Sequence, residues 1–234
     1  MTRARRLIYN VDMSEYITQF YPEYEEFFEK YKNLLKEWNE KINLTAITDD
    51  NEIYEKHFKD SLLGEKFISK GASVLDIGTG AGFPSLPIKI VREDITLTLN
   101  DSLNKRLIFL NEVIKELKLT KVRTIHSRAE DLDKKEKYDY VLSRAVAKLN
   151  TLAEYCLPFV KEGGYFIAYK SKDTDEEIKE AEKAIKILGG KIEKTEEIPL
   201  NNETVRRLIF IKKIKECEKK YPRGKNLPKT KPIM

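Results

Sequence analysis

One stretch constrains this chain more than any other: an apolar run that ends in an acid and then breaks into alternate glycines. Val74 to Val91 reads VLDIGTGAGFPSLPIKIV, with Asp76 near the end of the run, then Gly78, Gly80 and Gly82, and a helical pattern from about Phe83. A buried strand that turns sharply into a helix is the repeating unit of a parallel sheet. Glycines in such a turn let the backbone approach a ligand at the carboxyl end of the strand. The alternation continues downstream. Strand-like ITLTLN is followed by helical SLNKRLIFLNEVIKELKL, and KVRTIHS and KYDYVLSR read as strands. LNTLAEYCLPFV reads as a helix, YFIAYK as a strand, and TDEEIKEAEKAIKIL as a helix stopped by Gly189 and Gly190. This order predicts an α/β fold with a mostly parallel, doubly wound sheet. KIEKTEEIPL and TVRRLIFIKKI, separated by NNE, predict a closing hairpin and hence an antiparallel edge strand.

Ahead of the first strand, Ile17, Phe20, Tyr24, Phe27, Phe28, Tyr31, Leu34, Leu35, Trp38 and Ile42 recur at steps of three and four. They describe one face of a long helix or a broken pair. DDNEIYEKHFKDSLLGEKFI predicts another helix, with Asp49 or Asp50 as N-cap. The expected organisation is a helical extension over 1–70, a core over 71–214 and a basic, extended tail over 215–234. The tail carries the charge asymmetry. From Lys212 onward there are nine bases and two acids, a net of +7, against 35 bases and 37 acids, a net of −2, in the rest. Such a tail attracts phosphate backbones or is simply solvated lysine. Two isolated cysteines suit a reducing cytoplasm, and no spacing resembles a zinc site. No apolar run approaches the roughly 18 residues of a membrane span, and the N-terminus does not read as a signal peptide.

The glycine spacing is GxGxG, not the dinucleotide GxGxxG, and Phe83-Pro84 crowds the helix start where a pyrophosphate would sit. A ligand without phosphates fits better, and S-adenosylmethionine is one. Asp101 follows about twenty residues after the glycines, where a carboxylate accepts both ribose hydroxyls. Glu130 follows the third strand and is expected at an adenine pocket, and Asp76 serves an ammonium end. The plain alternatives are a tight βα turn for the glycines and an N-cap for Asp101. Three such residues at the ends of three successive strands favour the ligand.

Across nearly its whole length the chain resembles the ribosomal RNA small-subunit methyltransferase G family, also called glucose-inhibited division protein B. The blocks that carry the likeness are WNEKINLTAI, HFKDSL, VLDIGTGAGFPSLPIKI, DSLNKRLIFL, SRAEDL and SRAVAKLNTL, in that order. The tail YPRGKNLPKTKPI resembles one branch. The resemblance implies a Rossmann-like class I S-adenosylmethionine-dependent methyltransferase fold with a seven-stranded sheet. It also implies transfer of a methyl group to N7 of one guanosine in the decoding-region loop of 16S ribosomal RNA, with S-adenosylhomocysteine as product. By matching position, Gly78 and Phe83 meet the cofactor, with Gly80 and Gly82 in the same turn. Asp101 and Ser102 match the ribose block, Ala129 and Glu130 hold the adenine end, and Arg144 lies by the cofactor and the incoming base. The expected partner is 16S ribosomal RNA or the small ribosomal subunit, met by a cytoplasmic monomer with no membrane attachment. Two departures stand out. Lys170-Ser171 replaces the family's usual lysine-glycine pair, and Gly224 is displaced from the tail glycine's usual place.

The residues themselves narrow the acceptor. Amine methylation usually needs an Asn/Asp-Pro-Pro-aromatic turn after the fourth strand, where this chain has Ser143-Arg144-Ala145. Pyrimidine C5 methylation needs a cysteine nucleophile, and neither Cys156 nor Cys217 follows a strand in the required place. Guanine N7 carries a free lone pair and needs only in-line positioning, for which Arg144 is the candidate. RNA contacts are expected from Lys105, Arg106, Lys170, Arg207 and Arg223. The rival readings are a methyltransferase for a small molecule or protein, a non-catalytic RNA-binding module and, more distantly, a nicotinamide dehydrogenase.

Overall fold

The computed structural model describes residues 13–144, 147–201 and 203–234. Helices α1 (Met13–Phe20) and α2 (Glu25–Ile42) come first. A third helical run begins as α3 (Asp50–Ile53), passes through a π-helical turn (Tyr54–Lys59) and ends as α4 (Asp60–Leu62). Then β1 (Ser73–Ile77), α5 (Ser85–Val91), β2 (Thr96–Asp101), α6 (Asn104–Glu116) and β3 (Val122–His126) alternate. They are followed by β4 (Tyr138–Ser143), α7 (Leu149–Cys156), β5 (Val160–Ser171) and α8 (Asp175–Ile187). The hairpin β6 (Gly190–Pro199) and β7 (Val205–Lys213) and a short α9 (Leu227–Thr230) complete the chain.

The seven strands lie in the order β3-β2-β1-β4-β5-β7-β6. Pairing is parallel from β3 through β5, while β7 runs antiparallel to both β5 and β6. The predicted hairpin therefore forms at that edge, with its second strand inserted beside β5. Strand order reverses between β1 and β4, and ligands of such sheets bind at the carboxyl ends of the strands there. No helix among the described residues is long and apolar enough to cross a membrane.

The apolar pattern before β1 has a physical destination. Phe28, Tyr31, Leu35, Ile53 and Phe58 are fully buried and share one cluster with Val74, Leu86, Leu97 and Phe109. No break in packing separates the N-terminal helices from the sheet. Asn43 ends α2 in the left-handed region at φ 47°, and Asn39 Oδ1 accepts the amides of Leu44 and Thr45 at 2.6 and 2.8 Å. This reverses the chain toward α3. A second cluster on the other sheet face gathers α7, α8 and Tyr221.

The tail departs from the extended segment expected of it. Its prolines prevent regular structure but not docking: Tyr221, Pro222 and Pro228 are buried. Arg223 donates to the wholly buried Glu154 through its backbone amide (2.9 Å), Nε (2.7 Å) and Nη2 (2.6 Å). A buried carboxylate needs such a partner, and no pattern in the tail sequence announces it.

Phe58 touches the rings of Phe28, Tyr31, Tyr54 and Phe83 at centroid distances of 5.1 to 6.1 Å. Truncation to alanine is expected to cost about 3–5 kcal/mol in urea unfolding, still as one transition. A separate early transition would show that the helices fold apart from the sheet.

Candidate active site

One asparagine joins three strand ends at the switch point. The amides of Gly78 and Thr79 donate to the carbonyl of Asn100 at 3.0 and 3.1 Å. The same residue's Nδ2 donates to the carbonyls of Ile125 and Ser127 at 3.2 and 2.9 Å. The loops after β1 and β3 are thus both fixed to the end of β2. Sequence reading passed over Asn100 because it looks like one more polar residue in an alternating strand.

Two glycines of the turn do different work. At Gly80, φ is +60°, and a Cβ added there would meet no atom within 4 Å. That side of the turn is an open cradle. Gly82 has φ +97°, and a Cβ there would lie 2.4 Å from the Tyr31 hydroxyl oxygen and 2.7 Å from Leu86. Gly82 is thus required by packing against the N-terminal helices. The Tyr31 hydroxyl also donates to the Ala81 carbonyl.

Asp76 is wholly buried. Its Oδ2 accepts from the Thr79 hydroxyl at 3.0 Å, and its Oδ1 makes no hydrogen bond of good geometry, with Ser85 close by. Burial pushes its carboxyl up to about 7, against the pull of Ser85, Thr79 and Arg144. Asp101, also buried, accepts from the Gly80 amide (3.0 Å), the Leu103 amide (2.9 Å) and Arg106 Nη1 (3.1 Å). Ser102 is exposed beside it. Ala129 and Glu130 sit in a 3₁₀ turn just beyond β3, where Glu130 Oε1 accepts the amide of Asn226 at 3.2 Å.

Phe83 lies in an aromatic stack. His57 lies over its ring at 4.4 Å and 12°, Tyr31 at 5.6 Å and 25°, and the Arg144 guanidinium at 4.9 Å. Arg144 Nη2 meets His57 Nδ1 at 3.2 Å. A guanidinium only donates, so Nδ1 accepts and the ring proton is on Nε2, facing Thr45 Oγ1 at 2.8 Å. Burial, with the Arg144 charge adding to it, pushes His57 down to about 3. The imidazole is neutral at physiological pH and both its nitrogens are committed.

Arg144 is aimed by Asp60. Its Nη1 donates to Asp60 Oδ2 at 2.8 Å and to the Lys56 carbonyl at 3.1 Å. Arg206 grips the same carboxylate through Nε (2.6 Å) and Nη2 (2.9 Å). Asp60 is fully buried, and both arginines line a cavity of about 700 Å³ with Lys148, Tyr169 and Ser171. Sequence reading missed Asp60, His57 and Arg206. They stand 84 or more positions from their partners or show only as ordinary helix and strand residues. HFKDSL was legible as a block, not as a clamp.

The five RNA-contact candidates divide. Lys105 is exposed and Arg106 is half-exposed beside Asp101. Lys170 is nearly buried, donating to the Ala147 carbonyl and Glu177. Arg207 is held between Asp175 and Glu197, and Arg223 is spent on Glu154. The geometry gives these last three internal partners, which periodicity along one strand or helix does not predict.

The family model described as rRNA small subunit methyltransferase G matches residues 24–215. The chain belongs to that family. A protein of Desulforamulus reducens named Ribosomal RNA small subunit methyltransferase G is 58% identical over 214 residues, covering 88% of this chain and 89% of the relative. One of Clostridium botulinum with the same name is 52% identical over 213 residues, covering 88% and 89%. Solved structures share the fold at low identity. M. jannaschii TYW2 in complex with AdoMet superposes with a TM-score of 0.54 at 19% identity, covering 66% of this chain and 77% of its own. The ribosomal protein L11 methylase of Lactobacillus delbrueckii gives 0.53 at 15%, covering 67% and 77%.

The fold is therefore that of class I methyltransferases, and the cofactor of this methyltransferase is S-adenosylmethionine. The residues present fit it. Gly80 leaves an open cradle, the orphaned Asp76 Oδ1 suits a cationic amino-acid tail, and Asp101 and Glu130 offer carboxylates on the same rim.

Two outcomes follow from the charges. Arg144→Ala leaves Asp60 its two bonds from Arg206, so the fold should persist while methyl transfer falls about 100-fold; full turnover in the variant would refute the role. A carboxyl raised to about 7 is largely protonated at pH 6, and a cation brought beside it favours the carboxylate. S-Adenosylmethionine binding at pH 6 should thus release protons, giving different calorimetric heats in buffers of different ionisation enthalpy. Asp76→Asn should abolish the difference, and equal heats in the native protein would refute the linkage.

Proposed function

We propose that this methyltransferase transfers the methyl group of S-adenosylmethionine to N7 of a guanosine in the decoding-region loop of 16S ribosomal RNA. The observation that carries this reading is that neither His57 nor Cys156 is free to act as base or nucleophile, while Asp76 is assigned to the ammonium end of the cofactor. His57 is neutral, but its nitrogens are occupied by Arg144 and Thr45. Cys156 is buried, and burial pushes its thiol up, so it is no nucleophile. An acceptor that must lose a proton is poorly served, whereas guanine N7 attacks with its own lone pair and needs only in-line placement. The cofactor supplies an electrophilic methyl on a sulfonium. In this reading Asp101 takes the ribose hydroxyls once Arg106 yields, Glu130 the adenine end, Gly78 and Gly80 the backbone approach and Asp76 the ammonium.

Arg144 orients the base. Asp60 shares its charge between Arg144 and Arg206, so the three groups carry one net positive charge. Arg144 then donates to guanine O6 or a phosphate without a full unpaired cation facing the purine as it becomes positive. Lys105 and the outward lysines of the tail (Lys219, Lys220, Lys225, Lys229 and Lys231) are all exposed and suit a phosphate backbone. The relatives' shared name, Ribosomal RNA small subunit methyltransferase G, supports the substrate class.

The test uses tritiated S-adenosylmethionine, the full chain, and small subunits and RNA from cells lacking the gene. Label is expected in 7-methylguanosine from the small-subunit fraction alone. Label in another nucleoside would overturn the acceptor, and label in no RNA or subunit would overturn the substrate class.

A further inference from the structure

Residues 221–234 pack against α7 and reach the 3₁₀ turn just beyond β3 through directed polar contacts. On α7, Asn150, Thr151, Glu154 and Tyr155 fall on one helical face, and all four meet the tail. Asn150 Nδ2 reaches Met234 Sδ at 3.6 Å, and the Thr151 hydroxyl donates to the Pro228 carbonyl at 3.0 Å. Arg223 forks onto Glu154 and also donates to the Lys231 carbonyl at 2.9 Å, folding the tail back on itself. The Tyr155 hydroxyl donates to Asn226 Oδ1 at 3.2 Å. The backbone amide of Asn226 donates to Glu130 Oε1 at 3.2 Å. Lys225 and Asn226 are consecutive left-handed residues, at φ 60° and 57°. Neither is glycine, so the surroundings must hold them there, as they do at ligand clamps.

We infer that this tail is a clasp that completes the adenine end of the cofactor site, with Glu154–Arg223 as its lock and Asn226 as the residue that orients Glu130. The inference rests on the reading of Glu130 as the adenine residue. A carboxylate has room for several donors. The Asn226 amide holds Oε1, which turns Oε2 toward an exocyclic amine such as adenine N6. Fixing the rotamer beforehand lowers the ordering cost of binding. Arg223 and Tyr155 act through the tail and Glu130, so they are positioning residues.

The test is calorimetric binding of S-adenosylmethionine and S-adenosylhomocysteine to the full chain and its variants. Arg223→Ala should weaken both ligands equally, by tenfold or more, because they share the adenine end. Tyr155→Phe, which removes one hydroxyl from a half-buried ring and leaves the fold intact, should weaken both two- to fivefold. In the native protein, S-adenosylhomocysteine should slow hydrogen exchange across 221–230, a response that a merely structural tail would not give. Glu130→Gln separates the two ideas. Weakened binding in Glu130→Gln, with native affinity in Arg223→Ala and Tyr155→Phe, overturns the clasp alone. Native affinity in all three overturns the clasp together with the placement of Glu130. Should Arg223→Ala fail to fold, Tyr155→Phe and the exchange pattern decide.

Discussion

Asp60 is a carboxylate with no exposure, and its charge is met by two guanidiniums that reach it from β7 and from the end of β4. Removing water from an ion costs several kcal/mol unless its lone pairs are filled, and here three hydrogen bonds at 2.6–2.9 Å fill them. This one group joins the N-terminal helices to the reactive rim. It aims Arg144, which lies over Phe83, which in turn stacks with His57 and Tyr31. The N-terminal helices therefore form a wall of the candidate site, and Gly82 is glycine where Tyr31 comes close.

The other wall is made of backbone. Asn100 ties the loops after β1 and β3 to β2, and Asp101 holds the Gly80 amide. The open side of the turn is pre-formed by hydrogen bonds within the protein, with the acids already turned inward. One carboxylate, Asp101, is covered by Arg106, a half-exposed side chain that the ribose displaces in the proposed reading. Rigid backbone and a displaceable cation together suit a cofactor that must enter and leave on each turnover.

Charge is distributed differently from what the composition suggests. The surplus of bases after Lys212 invites a picture of a loose basic strand. Instead Arg223 is consumed by Glu154, Lys213 donates to the Leu188 carbonyl in the core, and the remaining lysines point outward from a docked segment. Arg207 and Lys170 are likewise neutralised within the fold. The positive surface is thus what remains after internal pairs are formed, and it is narrower than the sequence total.

The alternation of apolar strands with helices, the glycines after β1 and the acids at successive strand ends were all legible in the chain. Each is a local matter of periodicity, backbone freedom or chain reversal, acting within a few residues. The parallel sheet, its closing hairpin and the glycine turn after β1 follow from these. What only the tertiary structure decided is which charges pair. Asp60 with Arg144 and Arg206, and Glu154 with Arg223, are contacts between distant segments. The choice among many similar lysines, arginines and acids is made by burial, because a charge removed from water must take whatever opposite charge the packing places within reach.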